Sequence, residues 1–376
     1  MTRALRSVFL SAIAALHLGG MLGCSSDSRS EEREGAFAPA PALDDTTKVT
    51  ARSAAVIADG CSLDTWQMGA LASAPSRRVL REVVLLCLVP RFDGQIGPAD
   101  PSARASLRAQ VASLRQLGYE VKLGLSFTDE AGTQFDGAQA STLLLDDAWV
   151  GSVVANLRDL FSGSAPIADG VDVDLEHLPT NVRAAVTSLF ARLDGALRPA
   201  AAVDAFVPPA SSAAPSDIPG FDSFDVAAIA PHVDRLRVMT LDYSADPGPT
   251  IDASWAAAAG AFAAGGAGSA AVDVAVPLYG YDFTSAGARP VTYLEARGAA
   301  DAYRAPIARG STGAPHVLYT DAEGTRHDCW FDDAASTLGV LHAWTPSVLS
   351  PSVGVVFYGL GAEDPALWAE LGKVWP

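Results

Sequence analysis

The stretch Asp169-Gly170-Val171-Asp172-Val173-Asp174-Leu175-Glu176 places carboxylates at alternate positions of an otherwise apolar run. Side chains alternate across a β-strand, so Asp172, Asp174 and Glu176 share one face while Val171, Val173 and Leu175 share the other. Successive acids on such a face stand roughly 7 Å apart. In a confined interior they cannot all ionise cheaply. At least one is expected to hold a proton near neutral pH, which is the state a general acid needs. The ligand spacing and glycine of an EF-hand calcium loop are not present, and a solvated acidic loop would not explain the Val/Val/Leu alternation. The pattern predicts a strand whose acidic face does proton-transfer chemistry.

The elements around this strand must bury its apolar face and aim its acids. Val83–Val89 is a continuous apolar run, as expected of a strand covered on both sides. Leu107, Val111, Leu114 and Leu117 recur at helical spacing and Gly118 ends the run. Val121–Phe127 reads as the next strand, and Val150, Val153, Val154, Leu157, Leu160 and Phe161 as the next helix. After the acidic strand, Val182, Val186, Leu189, Phe190 and Leu193 mark another helix. Further strands are expected at Val203–Val207, Leu236–Leu241, Val272–Leu278 and Val353–Tyr358, with a helix around Trp255–Ala264. A weak first strand near Ala54–Ile57 brings the number to eight. Repeated βα units imply a parallel sheet, and eight of them favour a closed (β/α)₈ TIM barrel, an α/β fold. The acids would then point inward and climb toward the C-terminal mouth, where barrel active sites sit. Leu278 to Val353 is too long for one βα unit, so a small insertion is expected between strands seven and eight, at about residues 284–333.

Asp-Gly-x-Asp-x-Asp-x-Glu resembles the fourth-strand motif of glycoside hydrolase family 18, the chitinase family. Other segments agree in order. Val238-Met239-Thr240-Leu241-Asp242-Tyr243 resembles the family's sixth-strand Met-x-Tyr-Asp, and Val276-Pro277-Leu278-Tyr279-Gly280 its seventh strand. Trp330-Phe331-Asp332-Asp333-Ala334, and Gly354–Tyr358 with Gly361-Ala362-Glu363-Asp364, resemble the end of the insertion and the eighth strand, particularly in the peptidoglycan-directed, spore-lytic branch. The similarity runs from about Val83 to Trp368.

The resemblance implies substrate-assisted, retaining hydrolysis of β-1,4 bonds next to N-acetylglucosamine, in chitin oligosaccharides or peptidoglycan. In such catalysis the 2-acetamido oxygen of the sugar attacks its own anomeric carbon and the protein supplies no nucleophile. It implies Glu176 as the acid that protonates the leaving oxygen and then activates water, Asp174 as the holder of the acetamido N–H, and Asp172 as the partner that shares a proton with Asp174. Asp242 would orient the reacting group, and Met239, Tyr279 and Tyr358 would line the cleft. No metal and no organic cofactor is implied. Two positions depart from the family pattern: Leu241 stands where a Tyr hydroxyl is usual, and Tyr358 where many members place a Trp. Tyr243 lies at a different strand parity from Leu241. Trp330 is expected to pack the insertion, and His177 to face away. The alternative that Leu241 raises is a non-catalytic, lectin-like barrel that binds chitin or peptidoglycan.

At the N-terminus, Arg3 and Arg6 precede an apolar run from Val8 to about Leu18, too short for a membrane span. It closes on Gly19-Gly20-Met21-Leu22-Gly23-Cys24, which resembles a bacterial lipoprotein cleavage site. The expectation is a signal peptide over 1–23, acylation of Cys24, a disordered Ser/Glu/Ala/Pro tether over 24–50 and a barrel over 51–376. That would give an exported protein, lipid-anchored to the bacterial cell envelope and monomeric. The formal net charge is −17, and loss of Arg3 and Arg6 takes it to −19. With no basic run, nucleic acid is an unsuitable partner, because phosphate binding needs clustered positive charge. Cys61, Cys87 and Cys329 have the wrong spacing for a zinc site. One disulfide among them, with one Cys left over, or simply small buried side chains, are both compatible with the sequence.

Overall fold

The computed structural model describes residues 54–98, 101–126, 137–162, 166–175, 178–210, 220–344 and 353–375. Glu176, His177 and Cys24 lie outside the described residues. Seven parallel strands follow one another: β1 (Ala54–Asp59), β2 (Glu82–Leu88), β3 (Glu120–Ser126), β4 (Gly170–Asp174), β5 (Ala202–Val207), β6 (Arg235–Val238) and β7 (Ala271–Pro277). An antiparallel sheet then intervenes, made of β8 (Gly280–Thr284), β9 (Gly287–Val291), β10 (Ile307–Arg309), β11 (Pro315–Thr320) and β12 (Arg326–Trp330). Finally β13 (Val353–Tyr358) pairs with both β7 and β1 and closes an eight-stranded parallel barrel. The fold is the (β/α)₈ barrel with an insertion before its last strand.

The barrel forms because its strands are apolar on the outward side and the helices between them carry matching stripes. Val171 and Val173 of β4, Val121 and Leu123 of β3, and Val203 of β5 are fully buried against that helical layer. The helix Asp147–Phe161 buries Val150, Val153, Leu157, Leu160 and Phe161, and its Asp146 cap accepts from the Ala148 and Trp149 amides. Such a cap satisfies donors that the first turn leaves unpaired. The helix Arg183–Leu197 buries Val186, Leu189, Phe190, Leu193 and Leu197. Each large apolar side chain removed from water contributes roughly 1.5–3 kcal/mol, so this interface is the main source of the barrel's stability.

The inserted sheet has its own small core, in which Val291, Val317, Cys329 and Phe331 are buried. Its opposite face carries Tyr281, Phe283 and Trp330, which pack into the barrel-mouth cluster with Tyr279 and Tyr358. Gly280 is the hinge between barrel and insertion: any Cβ there would run into the Trp330 carbonyl oxygen and the Phe331 backbone. Arg309 donates to both oxygens of Asp333, at 3.2 and 2.6 Å. Among the described residues no helix is long and apolar enough to cross a membrane.

Candidate active site

Five barrel strands each place charge inside an otherwise apolar run: Glu82, Lys122, Asp204, the pair Arg235 and Arg237, and Asp273. All sit near the N-terminal ends of their strands and form the barrel floor. Arg237 is completely buried and donates to Asp172 Oδ2 at 2.5 Å, to Asp273 at 2.7 Å, to Asp204 at 3.1 Å and to Glu82. Lys122 bridges Glu82 at 3.0 Å and Asp204. Arg235 donates to the other oxygen of Asp273 at 2.6 Å. Burying charge is tolerable only when it is paired this completely. Arg237 and Lys122 hold Glu82 down to about 2 against the upward push of burial. The floor was not foreseen from the sequence, although the lone charges in apolar strands were its signal.

The floor sets the state of the acidic strand. Lys122, Arg235 and Arg237 face four buried carboxylates, Glu82, Asp172, Asp204 and Asp273. The charges balance when one carboxylate is protonated. Burial pushes Asp172 up to about 7, with Asp204 and Glu82 adding to the push and Arg237 and Lys122 opposing it. Asp174, one inward position higher, is also raised to about 7, by burial first, then by the charges of Asp172 and Asp59. Asp59 ends β1 and is a second group not foreseen. Asp172 Oδ1 and Asp174 Oδ1 are both buried without a hydrogen-bond partner among the described residues. Two neighbouring acids titrating together near neutrality can share one proton.

Oxygens of Glu82, Asp172 and Asp204 lie within 4.8 Å of one another, a spacing that a divalent cation could bridge. Arg237 already contacts all three, and Lys122 contacts Glu82 and Asp204. The cluster is therefore neutralised by the chain's own cations, and a metal would have to displace them.

The mouth is built around Asp242. Its backbone is left-handed (φ 55°), a conformation that Asp tolerates better than most non-glycine residues. The turn sends its carboxylate inward, where Tyr279 donates to Oδ1 at 2.7 Å while Oδ2 has no partner among the described residues. Burial raises Asp242, and the hydroxyls of Tyr279 and Tyr281 offset part of that rise. Tyr279 meets Tyr281 edge-on at 5.6 Å and Tyr358 edge-on at 6.2 Å. Leu241 is 8% exposed and, with half-buried Met239, belongs to the same cluster. Tyr243 instead packs on Trp255 of the outer helix at 5.3 Å and is exposed. It does not stand in for a hydroxyl at 241. Trp330 stacks on His316 at 4.3 Å, within the insertion.

The structure thus gathers Asp242, Tyr279, Tyr358 and Met239 at the mouth, sets Asp172 and Asp174 on the inward face of β4, and adds Tyr281, which strand parity after Gly280 would have placed on the same face as Tyr279. The arrangement offers two carboxyl groups that titrate near neutral pH on the inward face of β4, and a half-buried acid with aromatic walls at the mouth.

No family model matches the chain. YdhD of Bacillus subtilis, named as a sporulation-specific glycosylase, is 26% identical over 194 residues, covering 49% of this chain and 45% of that protein. The cortical fragment-lytic enzyme of the same organism is 38% identical over 98 residues, covering 24% of this chain and 22% of that protein. The chain therefore spans less than half the length of these curated relatives. Among solved structures, the Bacillus cereus spore cortex-lytic enzyme SleL superposes with a TM-score of 0.70 at 20% identity, over 87% of this chain and 76% of that one. The GH18 chitinase of Cycas revoluta, solved with (GlcNAc)3, gives 0.65 at 14% identity, over 85% and 98%. The chain shares with these structures the eight-stranded parallel barrel and its helical layer.

Proposed function

We propose that this chain is a glycoside hydrolase that cleaves β-1,4 linkages next to N-acetylglucosamine, in chitin oligosaccharides or peptidoglycan. The observation that carries the reading is the pair of buried acids, Asp172 and Asp174, both titrating near neutrality inside a barrel whose mouth holds Asp242 and three tyrosines. The names of the relatives, a glycosylase, cortex-lytic enzymes and a chitinase holding (GlcNAc)3, support the same substrate class.

In this reading a sugar enters over Tyr358, and its 2-acetamido group turns down toward Asp174. Protonated Asp174, or Asp174 sharing the proton of Asp172, holds and polarises that group as its oxygen attacks the anomeric carbon. Glu176, the next inward position by strand alternation, gives its proton to the leaving oxygen and then takes one from water. Asp242, fixed by Tyr279, orients the acetamido group from the end of β6. The second reading, a sugar-binding barrel without turnover, is favoured by one observation: Leu241 leaves an apolar side chain in the mouth where the family pattern has a hydroxyl. Purified protein assayed on N-acetylglucosamine oligomers and on peptidoglycan decides between the two. Release of shorter sugars is the expected result; tight binding with intact substrate supports the second reading.

We further propose that the chain is exported and anchored through acylated Cys24, and acts as a monomer on the cell envelope. Fatty-acid labelling and membrane fractionation of wild type and Cys24→Ala test the anchor. Labelled, membrane-bound wild type and unlabelled variant are expected; equal partitioning of both into the soluble fraction contradicts it.

A further inference from the structure

Two cysteines meet at the mouth end of the barrel. Parallel pairing aligns Asp59, the last residue of β1, with Leu86 of β2, and the Gly60 amide donates to the Leu86 carbonyl at 2.9 Å. Gly60, at φ 88°, turns the chain so that Cys61 comes to lie beside Cys87. The Cys61 thiol donates to the Cys87 carbonyl oxygen at 3.4 Å, which sets the two cysteines side by side. The β2–β3 register slips between Leu86 and Leu88, which leaves Cys87 out of that ladder. A bulge of this kind re-aims a side chain. Both cysteines are half-buried, whereas Cys329 is enclosed in the core of the insertion.

We propose that Cys61 and Cys87 form a dithiol site that closes into an intramolecular disulfide, with a small disulfide of the glutathione class as oxidant. The Cys61 thiolate attacks one sulfur of the oxidant and expels one thiolate, leaving a mixed disulfide on Cys61. Cys87 gives up its proton to solvent and attacks the Cys61 sulfur, expelling the second thiolate. Two protein thiols are oxidised and one oxidant disulfide is reduced to two thiols. Cys61 is the entry point because it lies in the turn after β1 while Cys87 is held within β2, and the thiolate is the nucleophile. The bond would staple the loop after β1 to the end of β2. That loop begins at Asp59, the carboxylate whose charge bears on Asp174.

The test uses the full chain, first reduced and then equilibrated with oxidised glutathione. Peptide mapping under non-reducing conditions is expected to find a Cys61–Cys87 cross-link and a mass loss of about 2 Da for the two hydrogens removed. Cys329 should remain alkylatable after denaturation. The oxidised wild type should melt at a higher temperature than the reduced form, because the link restricts the unfolded chain. Cys61→Ser and Cys87→Ser should each lose that difference, and Cys329→Ser should keep it. A glutathione adduct that persists on Cys61 without cross-linking, or two thiols that stay free, overturns the proposal whatever the variants do.

Discussion

Arg237 Nε donates to Asp172 Oδ2 at 2.5 Å, so the first acid of the Asp-x-Asp pair is fixed by a guanidinium that reaches it from two strands away, past β5. The same guanidinium serves Glu82, Asp204 and Asp273. Arg237→Met would leave these carboxylates short of a cation in a site without water access. Removing one partner of a buried charge cluster typically costs about 3–5 kcal/mol. Urea unfolding should show a loss on that scale, larger at pH 8 than at pH 5, where the carboxylates can protonate instead. A loss below 1 kcal/mol would mean that the floor relaxes around the missing cation.

Asp174 makes stability depend on pH in a defined direction. Its pKa rises on folding from about 3.8 to about 7, so the folded state holds a proton that the unfolded state has released throughout that window. Stability therefore falls as pH rises from about 4 to about 7, and levels off above it. Asp174→Asn removes the ionisation. Relative to wild type the variant should gain stability as pH climbs through this window, by an amount on the order of a few kcal/mol at pH 8. Paired melts at pH 5 and pH 8 check this, and a pH-independent difference would show that Asp174 is not the titrating group. Activity should fall in the same variant.

Tyr279→Phe removes the hydroxyl that holds Asp242 and leaves Asp242 Oδ1 buried without that donor. The expected stability cost is about 1–3 kcal/mol. The Asp242 pKa should rise further, because a bond favouring its charged form is gone. On the proposed reading, kcat should drop at least about tenfold and the acidic limb of the pH–rate profile should move upward. A stability loss with an unchanged profile would make Tyr279 a packing residue only.

Leu241→Tyr tests the departure in the mouth. The added ring must fit a cluster in which Leu241 is nearly enclosed, so a cost of about 1–3 kcal/mol is expected. Turnover should nevertheless rise if a hydroxyl at this position stabilises the reacting acetamido group. An unchanged rate in a well-folded variant would show that another group already does this work.

The eight barrel strands were legible because each carries apolar residues on the face that meets the helices and is bounded by turn residues, and such a local pattern is all that a strand requires. The parity of the acidic strand was legible for the same reason: Val171 and Val173 face the helices while Asp172 and Asp174 face inward. The partners of those acids were not. Arg237 lies 65 residues from Asp172 and Glu82 lies 155 from Arg237. Only barrel closure brings them together, and periodicity carries no such information. Tyr281 is not legible in the sequence because the strand after Gly280 belongs to the insertion, and no local pattern shows that one face of its antiparallel sheet turns to the mouth. Asp59 is not legible because the first strand is weak and its last residue is polar.

The proposed hydrolysis turns on proton delivery by Glu176 to a glycosidic oxygen. The most direct measurement is hydrolysis of N-acetylglucosamine oligomers alongside oligosaccharide binding, for wild type and Glu176→Gln. The amide keeps the shape and removes the proton, so binding should survive while hydrolysis falls by about two or more orders of magnitude. Equal binding by both proteins, with no hydrolysis of any N-acetylglucosamine polymer by either, would contradict the account and leave a sugar-binding barrel.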